Sequence, residues 1–465
     1  MLNNTALLAV GPDPNCNENV HGSDIERLVL LIFGGAVIFM QCGFAMLEAG
    51  FLPKHGVANI LFKNMSDSFV GLLGFYIFGY ALAFGGNFDE GETGIILGTR
   101  GFALAGVSSC ELPFFLFQYA FAATSVTIIS GALGTRSSFT TYMTYSFLFP
   151  AFIYPLPAHW LWAKKGWLLT GSSNVGVADF AGAGAVHMVG GMAALVGCML
   201  AGPGFDRGTQ SNFKRNPPHS IPLVVLGLFI LSFGFLFFNG GSVVSYTLRV
   251  NTHALSGIGL AMINTVLAAS GGGLAMVAHS KLRRGVLSIT RAVNGSIAGM
   301  VAVSACAGFV QPWAALIVGV AGGISYLGFS TVLQRRRVDD AIDASSAHFA
   351  PGACGLLLGP WLFFQQGIVY DPSPDAFRRF GWHVLGVLVL SLWTAALSFV
   401  MFVALKLTGV LLVSEFADRY GVDRFEHDEV AYDVPRESNI QTLTQTSPHV
   451  SPVIKRADKS RQAVV

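Results

Sequence analysis

Asp179-Phe180-Ala181-Gly182-Ala183-Gly184-Ala185-Val186-His187 and Asp340-Ala341-Ile342-Asp343-Ala344-Ser345-Ser346-Ala347-His348 share one frame, an aspartate followed eight positions later by a histidine. Both segments lie in apolar, glycine-rich sequence. Ionisable groups at bilayer depth are expensive and usually face a pathway or a partner, so a duplicated set of them marks a functional site. Its repetition points to an internally repeated membrane fold.

Composition agrees with that reading. Hydrophobic residues make up 52% of the 465 positions and charged residues only 12%, where soluble domains run nearer ~25% charged. The 55 glycines suit helices packed backbone to backbone in lipid. A net charge of +2 gives no ground for a nucleic-acid partner.

We expect an all-α polytopic membrane protein. A helix needs about 20 apolar residues to cross ~30 Å of hydrocarbon. Eleven stretches qualify, at roughly 27–50, 60–85, 113–134, 139–163, 175–201, 221–246, 253–279, 286–308, 311–334, 342–366 and 381–412. They divide the chain into an extracellular segment 1–26, a membrane domain 27–412 and a cytoplasmic tail 413–465.

Lysine and arginine in short loops set orientation. With the N-terminus outside, Lys54, Lys63, Arg136, Arg207, Lys214, Arg215, Lys281, Arg283, Arg284 and Arg335 to Arg337 lie inside. Arg27, Arg100, Lys164, Lys165, Arg249, Arg378 and Arg379 lie outside. The excess on the inner side favours N-terminus out and C-terminus in. Residues 1–26 show no cleavable leader pattern. Asn3 opens an Asn-Asn-Thr sequon on the outer side.

Cys42, Cys198, Cys306 and Cys354 fall within spans and read as small apolar residues. Cys16 and Cys110 are both expected outside, where a disulfide can form. No cysteine and histidine cluster has zinc spacing. In the tail, Ser414 to Val434 is charged and aromatic and is expected to dock on the cytoplasmic face. Beyond Pro435 a polar composition implies disorder, with Ser438, Thr442, Thr444, Thr446 and Ser447 eligible for phosphorylation.

Within the spans, Phe117 and Phe121 are four apart on one helical face, Phe238 precedes Ser242 by the same interval, and Pro157 to Trp162 closes the fourth span. An aromatic stripe alone reads as packing. Arg291, Asn64, Asp67, Gln118, Asn239, Asn264 and Asn294 read as interhelical hydrogen-bond partners, Glu48 with Lys63 as a fold-stabilising pair, and His159 and His383 as structural.

In register, these segments resemble the ammonium transporter family (Amt/Mep/Rh), in its Amt branch. The resemblance runs from Met40 to Gly50, through Lys63-Asn64, the Phe117 segment, Trp162, Asp179 to Gly182 with His187, Phe238 to Ser242, Asn294-Gly295 with Ala298-Gly299, and Val338 to Asp340 with His348, to Ala431-Tyr432. It implies a homotrimer in the plasma membrane, with eleven transmembrane helices per subunit and an inverted five-helix repeat around a central pore. The substrate would be ammonium or ammonia, and methylammonium.

By position, Trp162, Phe121 and Ser242 correspond to an outer ammonium recruitment site, Phe121 and Phe238 to a stacked gate, and His187 with His348 to the pore pair; Asp179, Phe117 and Asp340 support them. Aromatic faces attract a cation by ~0.5–2 kcal/mol each, and a serine hydroxyl accepts an N–H bond that potassium cannot donate. An apolar lumen then favours neutral ammonia, since desolvation disfavours charge. Electrogenic and electroneutral conduction both fit these residues, as does a transport-silent sensor. For Asp179 and Asp340 a helix-cap role is preferred over a cation-attracting one.

Two departures from the family pattern stand out. Gly134-Thr135-Arg136 replaces Ala-Glu-Arg, and Phe349-Ala350-Pro351 follows the second histidine where glycine is usual. The bulky ring of Phe349 and the nearby Pro351 are expected to narrow the pore, kink the helix or face lipid. A divalent-metal transporter would need more convergent ligands than two histidines. An enzyme would need a nucleophile with a positioned base, or a cofactor loop, and neither is present, so no cofactor is expected.

Overall fold

The computed structural model describes residues 16, 21–88, 94–204, 217–250 and 255–432. Asn3, the loop cations Arg207, Lys214 and Arg215, and the tail sites from Ser438 to Ser447 lie outside the described residues, and the side chain of Arg249 is likewise not described. Among the described residues all regular structure is helical, with two isolated bridges, Ser137 to Leu412 and Ser172 to Val175, and no strand.

Eight helical stretches are long and apolar enough to cross a membrane: Asp24–Phe51, Lys54–Phe84, Ser109–Arg136, Ala183–Ala201, Ile221–Leu248, Gly257–Arg284, Pro312–Arg335 and Pro374–Leu407. Three further helical segments lie among them. Phe139–Leu148 continues through a π-turn at Phe149–Ile153 into Pro155–Trp162, and Ile289–Val303 and Ala344–Leu362 are shorter or more polar. Glycine brings helices into backbone contact. A Cβ on Gly272 would lie 2.2 Å from the Gly295 carbonyl oxygen, and one on Gly299 would lie 2.1 Å from that of Ala268.

The fifth expected span begins later than the hydropathy pattern indicated. Residues 175–182 are not helical, and the helix starts at Ala183. Gly182 has φ +93, a left-handed conformation that a Cβ would strain and that a helix interior excludes. The Phe180 and Ala181 amides instead donate to the Ala305 and Ser304 carbonyls at 3.1 and 2.7 Å. Irregular backbone inside a membrane protein persists where protein covers and satisfies it.

Cys16 and Cys110 are bridged, with Cα atoms 5.6 Å apart. At the opposite end of the helices, Arg136 is a junction. It pairs with Asp339 at 3.1 Å and donates to the carbonyls of Gly202 and Asp339, both at 2.6 Å. The chain after Leu407 packs there. Ser138 N donates to Leu411 O at 3.3 Å and Val413 N to Arg136 O at 2.9 Å, and Asp423 accepts from the Ala58 and Asn59 amides at 3.0 and 2.8 Å, so the first part of the tail is docked through Asp423. The expected Glu48–Lys63 pair makes no direct ion-pair contact, although the two groups attract each other at longer range. Lys63 Nζ donates to Ser137 O at 2.6 Å, whereas Glu48 accepts from Ser130 at 2.6 Å and Asn64 at 2.9 Å. Each buried charge is satisfied by nearer polar groups.

Candidate functional site

Three helices bring the aromatic residues together. Phe121 lies mid-way along Leu112–Leu133, Phe238 mid-way along Ile221–Val250, and Trp162 ends Pro155–Trp162. The Phe121 and Phe238 rings stack with centroids 4.0 Å apart and planes at 28°. At that separation they are in van der Waals contact, and nothing passes between them. Trp162 meets Phe121 edge-on at 5.6 Å and 89°, a favoured aromatic geometry. Phe117 backs Phe121 at 4.8 Å, and a Cβ on Gly241 would stand 2.5 Å from the Phe117 ring. Glycine is therefore required there for the second helix to approach.

Polar groups around the rings are already oriented. The Trp162 indole N–H donates to Asp179 O at 2.8 Å, which fixes the ring plane. Ser242 Oγ donates to Phe238 O at 2.8 Å. Its hydrogen is thereby used within the helix, leaving oxygen lone pairs to accept a bond. Gln118 donates to Ser245 at 3.0 Å, Asn239 to Thr265 at 2.7 Å, and Asn264 to the Ala307 and Val310 carbonyls at 2.8 Å each. Arg291 contacts His279 at 3.1 Å. These are contacts between helices or with adjoining turns.

Both aspartates are turned toward helix starts. Asp179 Oδ2 accepts from the Gly184 and Ala185 amides at 3.1 and 2.8 Å. Asp340 accepts from Ala344 and Ser346 at 2.8 and 3.3 Å. These bonds satisfy amides that a helix N-terminus leaves without intrahelical partners.

His187 and His348 meet. Their Nδ1 atoms are 3.1 Å apart and their rings near-parallel at 24°. Two facing nitrogens bond only if one donates and the other accepts, so in the neutral pair one ring carries hydrogen at Nδ1 and the other at Nε2. The outer nitrogens then differ, one acceptor and one donor. His187 Nε2 is buried and has no protein hydrogen-bond partner. Phe238 is 5.4 Å from His187 by ring centroid, so the stacked phenyls and the imidazoles form one continuous column.

Phe235, one turn before Phe238, stacks on His187 at 5.4 Å and 18°, and Phe44 tilts against His348 at 6.4 Å. Sequence reading passed over both, although the three-residue interval between Phe235 and Phe238 was available. The Phe349 ring turns to Phe329 at 5.5 Å, and its backbone amide faces Gly191 at 2.5 Å from where a Cβ would be. It is a helix-packing residue. His159 Nδ1 and Nε2 lie 2.7 and 2.9 Å from the carbonyl oxygens of Ala83 and Gly94, while His383 Nδ1 bonds the Leu356 carbonyl at 2.7 Å and its Nε2 accepts from the Ala178 amide at 2.9 Å. Neither joins the column. Thr135 fits against Gly56, where a Cβ would lie 2.2 Å from its methyl group.

A polytopic helical membrane protein, with an aromatic lid over a buried pair of hydrogen-bonded histidines, is the class that this fold and site define. The sequence matches the model of the Ammonium Transporter Family over residues 28–432. It is 37% identical over 450 residues to the ammonium transporter Amt2 of Archaeoglobus fulgidus, covering 92% of each chain. Among solved structures it is similar to Saccharomyces cerevisiae Mep2, with TM-score 0.73, 27% identity, and 84% of this chain and 87% of that one covered. It is also similar to a protein described as a Sensor Amt Protein, with TM-score 0.78, 27% identity, and 87% and 98% covered. The chain belongs to the ammonium transporter family, in its Amt branch.

Proposed function

We propose that this chain moves ammonium or ammonia across the plasma membrane by recruiting the cation, deprotonating it and passing ammonia along His187 and His348. The observation that carries the reading is the imidazole pair, Nδ1 to Nδ1 at 3.1 Å, lying directly beneath a closed phenyl stack. Trp162, Phe121 and Ser242 form the recruitment site: the aromatic faces attract a cation, and the Ser242 oxygen accepts one of its N–H bonds. Phe121 and Phe238 are the gate, and one ring must rotate for passage. Phe117, Asp179 and Asp340 act indirectly. Phe117 holds Phe121, and the two carboxylates hold the helices that carry the histidines.

Eleven membrane spans, arranged as an inverted five-helix repeat around the pore, complete the proposal. The eight long stretches plus the Phe139–Trp162, Ile289–Val303 and Ala344–Leu362 segments support that number. An extracellular 1–26, a membrane domain 27–412 and a cytoplasmic tail 413–465 follow, and the Cys16–Cys110 bridge supports an oxidising outer side. Assembly as a homotrimer, glycosylation at Asn3 and methylammonium as a second substrate belong to the same reading.

A sensor is the second reading, favoured by the likeness to the Sensor Amt Protein. The test is voltage clamp of oocytes expressing the full chain, with uptake of labelled methylammonium in the same cells. Saturating uptake is expected, and Trp162→Leu is expected to raise its apparent KM about two- to thirtyfold, the loss of one cation-π contact of ~0.5–2 kcal/mol. An accompanying inward current makes transport electrogenic, and uptake without current makes the protein an electroneutral ammonia channel. Neither signal, with protein at the cell surface, overturns conduction in favour of the sensor.

A further inference from the structure

Below His348 the column opens into a cavity whose wall includes Phe44, Glu48, Gly131, Asn294 and Ile342. Phe44 and Glu48 are four apart on Met40–Phe51, so the Glu48 carboxylate lies one helical turn, ~6 Å along the axis, beyond the ring that touches His348. Glu48 is 1% exposed. Its Oε1 accepts from Ser130 at 2.6 Å and its Oε2 from Asn64 at 2.9 Å. Each carboxylate oxygen can accept twice, so these two bonds leave half the acceptor capacity of the group. Gly131 is what keeps that capacity on the cavity. A Cβ there would stand 3.3 Å from Glu48 Oε1.

Helix-to-helix glue would account for the Ser130 and Asn64 bonds. It would not account for a carboxylate on the wall of an otherwise largely apolar cavity, where an anion is costly unless something donates to it. We infer that Glu48 is an inner ammonium-binding group: a small cation bearing N–H donors is held there between the pore histidines and the interior. The inference rests on the proposed transport function and adds a second cation site on its exit side. The outer site offers aromatic faces and one hydroxyl. The inner one offers a carboxyl group whose ionised form a bound cation stabilises, matching the point at which ammonia takes a proton from interior water and becomes a donor-rich ion.

The test separates the two sides of the membrane. In cells expressing the full chain, influx of labelled methylammonium is measured against external concentration and efflux against internal concentration. Glu48→Gln keeps size and one acceptor but removes the charge. It is expected to raise the efflux KM about tenfold, equivalent to ~1.4 kcal/mol, with the rise confined to the internal side. Equal shifts on both sides, or none, would overturn the inner site and leave Glu48 structural.

If Glu48→Gln does not reach the membrane, Gly131→Ala decides. Its methyl group stands against Oε1 without touching the charge, and Ile342, whose Cδ1 and Cγ1 would lie at 2.5 and 3.1 Å, must shift to admit it. A selective rise in efflux KM supports the proposal, and an unchanged efflux KM refutes it. Absence of uptake and efflux in the unmodified chain would instead strike at the transport function itself.

Discussion

Replacing Asp423 with alanine should release the tail from the membrane domain. The helix Val57–Gly74 begins at Gly56, which offers no side chain to cap it. Asp423 performs that role from 365 residues away: Oδ2 accepts from Ala58 N at 3.0 Å and Oδ1 from Asn59 N at 2.8 Å. It is 1% exposed. Loss of a cap costs ~0.5–2 kcal/mol, and loss of a negative charge at a helix N-terminus adds ~0.3–1 kcal/mol. A total near 2 kcal/mol weakens docking about thirtyfold. Hydrogen exchange on the purified full chain reads this directly. The Ala58 and Asn59 amides should exchange faster by about that factor, together with those of Glu415 to His427. Asp423→Asn, which keeps one acceptor without the charge, should fall between. Unchanged exchange at Ala58 and Asn59 in Asp423→Ala would refute the reasoning, because those amides would then be satisfied by something else.

Docking should also depend on pH through His427. Asn59 Nδ2 donates to its Nε2 at 2.8 Å, and Phe62 and Phe139 pack edge-on against its ring. Burial holds the His427 pKa below its ordinary value, outweighing Glu426, Asp423 and Glu429, which raise it, while Lys63 lowers it further. A lowered pKa in the docked state means that the free tail binds protons more readily. The His427 contribution is therefore complete above about pH 6.5, the ordinary histidine pKa, and is lost as pH falls below it. Limited proteolysis of the tail should accelerate between pH 7 and 5, and His427→Phe should flatten that profile. At Arg136 the ion pair with Asp339 is buried, with side chains 8% and 2% exposed. Arg136→Leu should cost ~3–5 kcal/mol, measured as earlier thermal unfolding in detergent, with Arg136→Lys intermediate.

Residue intervals made the column legible in part. Phe117 and Phe121 share a face because helices repeat every 3.6 residues, and the two histidines stood out because charge-capable groups are rare in apolar sequence. The start of the fifth span was misread because hydropathy does not distinguish apolar helix from apolar extended chain. Gly182 at positive φ and the bonds to Ser304 and Ala305 decide it. The fates of Glu48 and Lys63 were hidden for a different reason. Both are near the first interhelical loop in sequence, yet their nearest polar neighbours, Ser130 and Ser137, come from a later segment. The same holds for Asp423, whose cap joins segments that no local pattern relates.

The eight-residue interval that begins both site segments has a structural cause. His187 is the fifth residue of the helical run that starts at Ala183, and His348 is the fifth of the one that starts at Ala344. The aspartate takes amides from the first three residues of each helical run, so it fixes where the helix begins. Four residues at 1.5 Å then set His348 ~6 Å inside its α-helix, whereas His187 sits in a wider π-turn, Ala183–Met188. Two caps at equal offsets thus place two imidazoles at equal residue counts from their helix starts, and packing of those helices brings the Nδ1 atoms to 3.1 Å. The carboxylates work as rulers for the imidazoles without touching them. Shifting Asp340 by one residue would rotate the start of its α-helix by ~100° relative to His348 and would separate the pair even though every site side chain remained in the sequence.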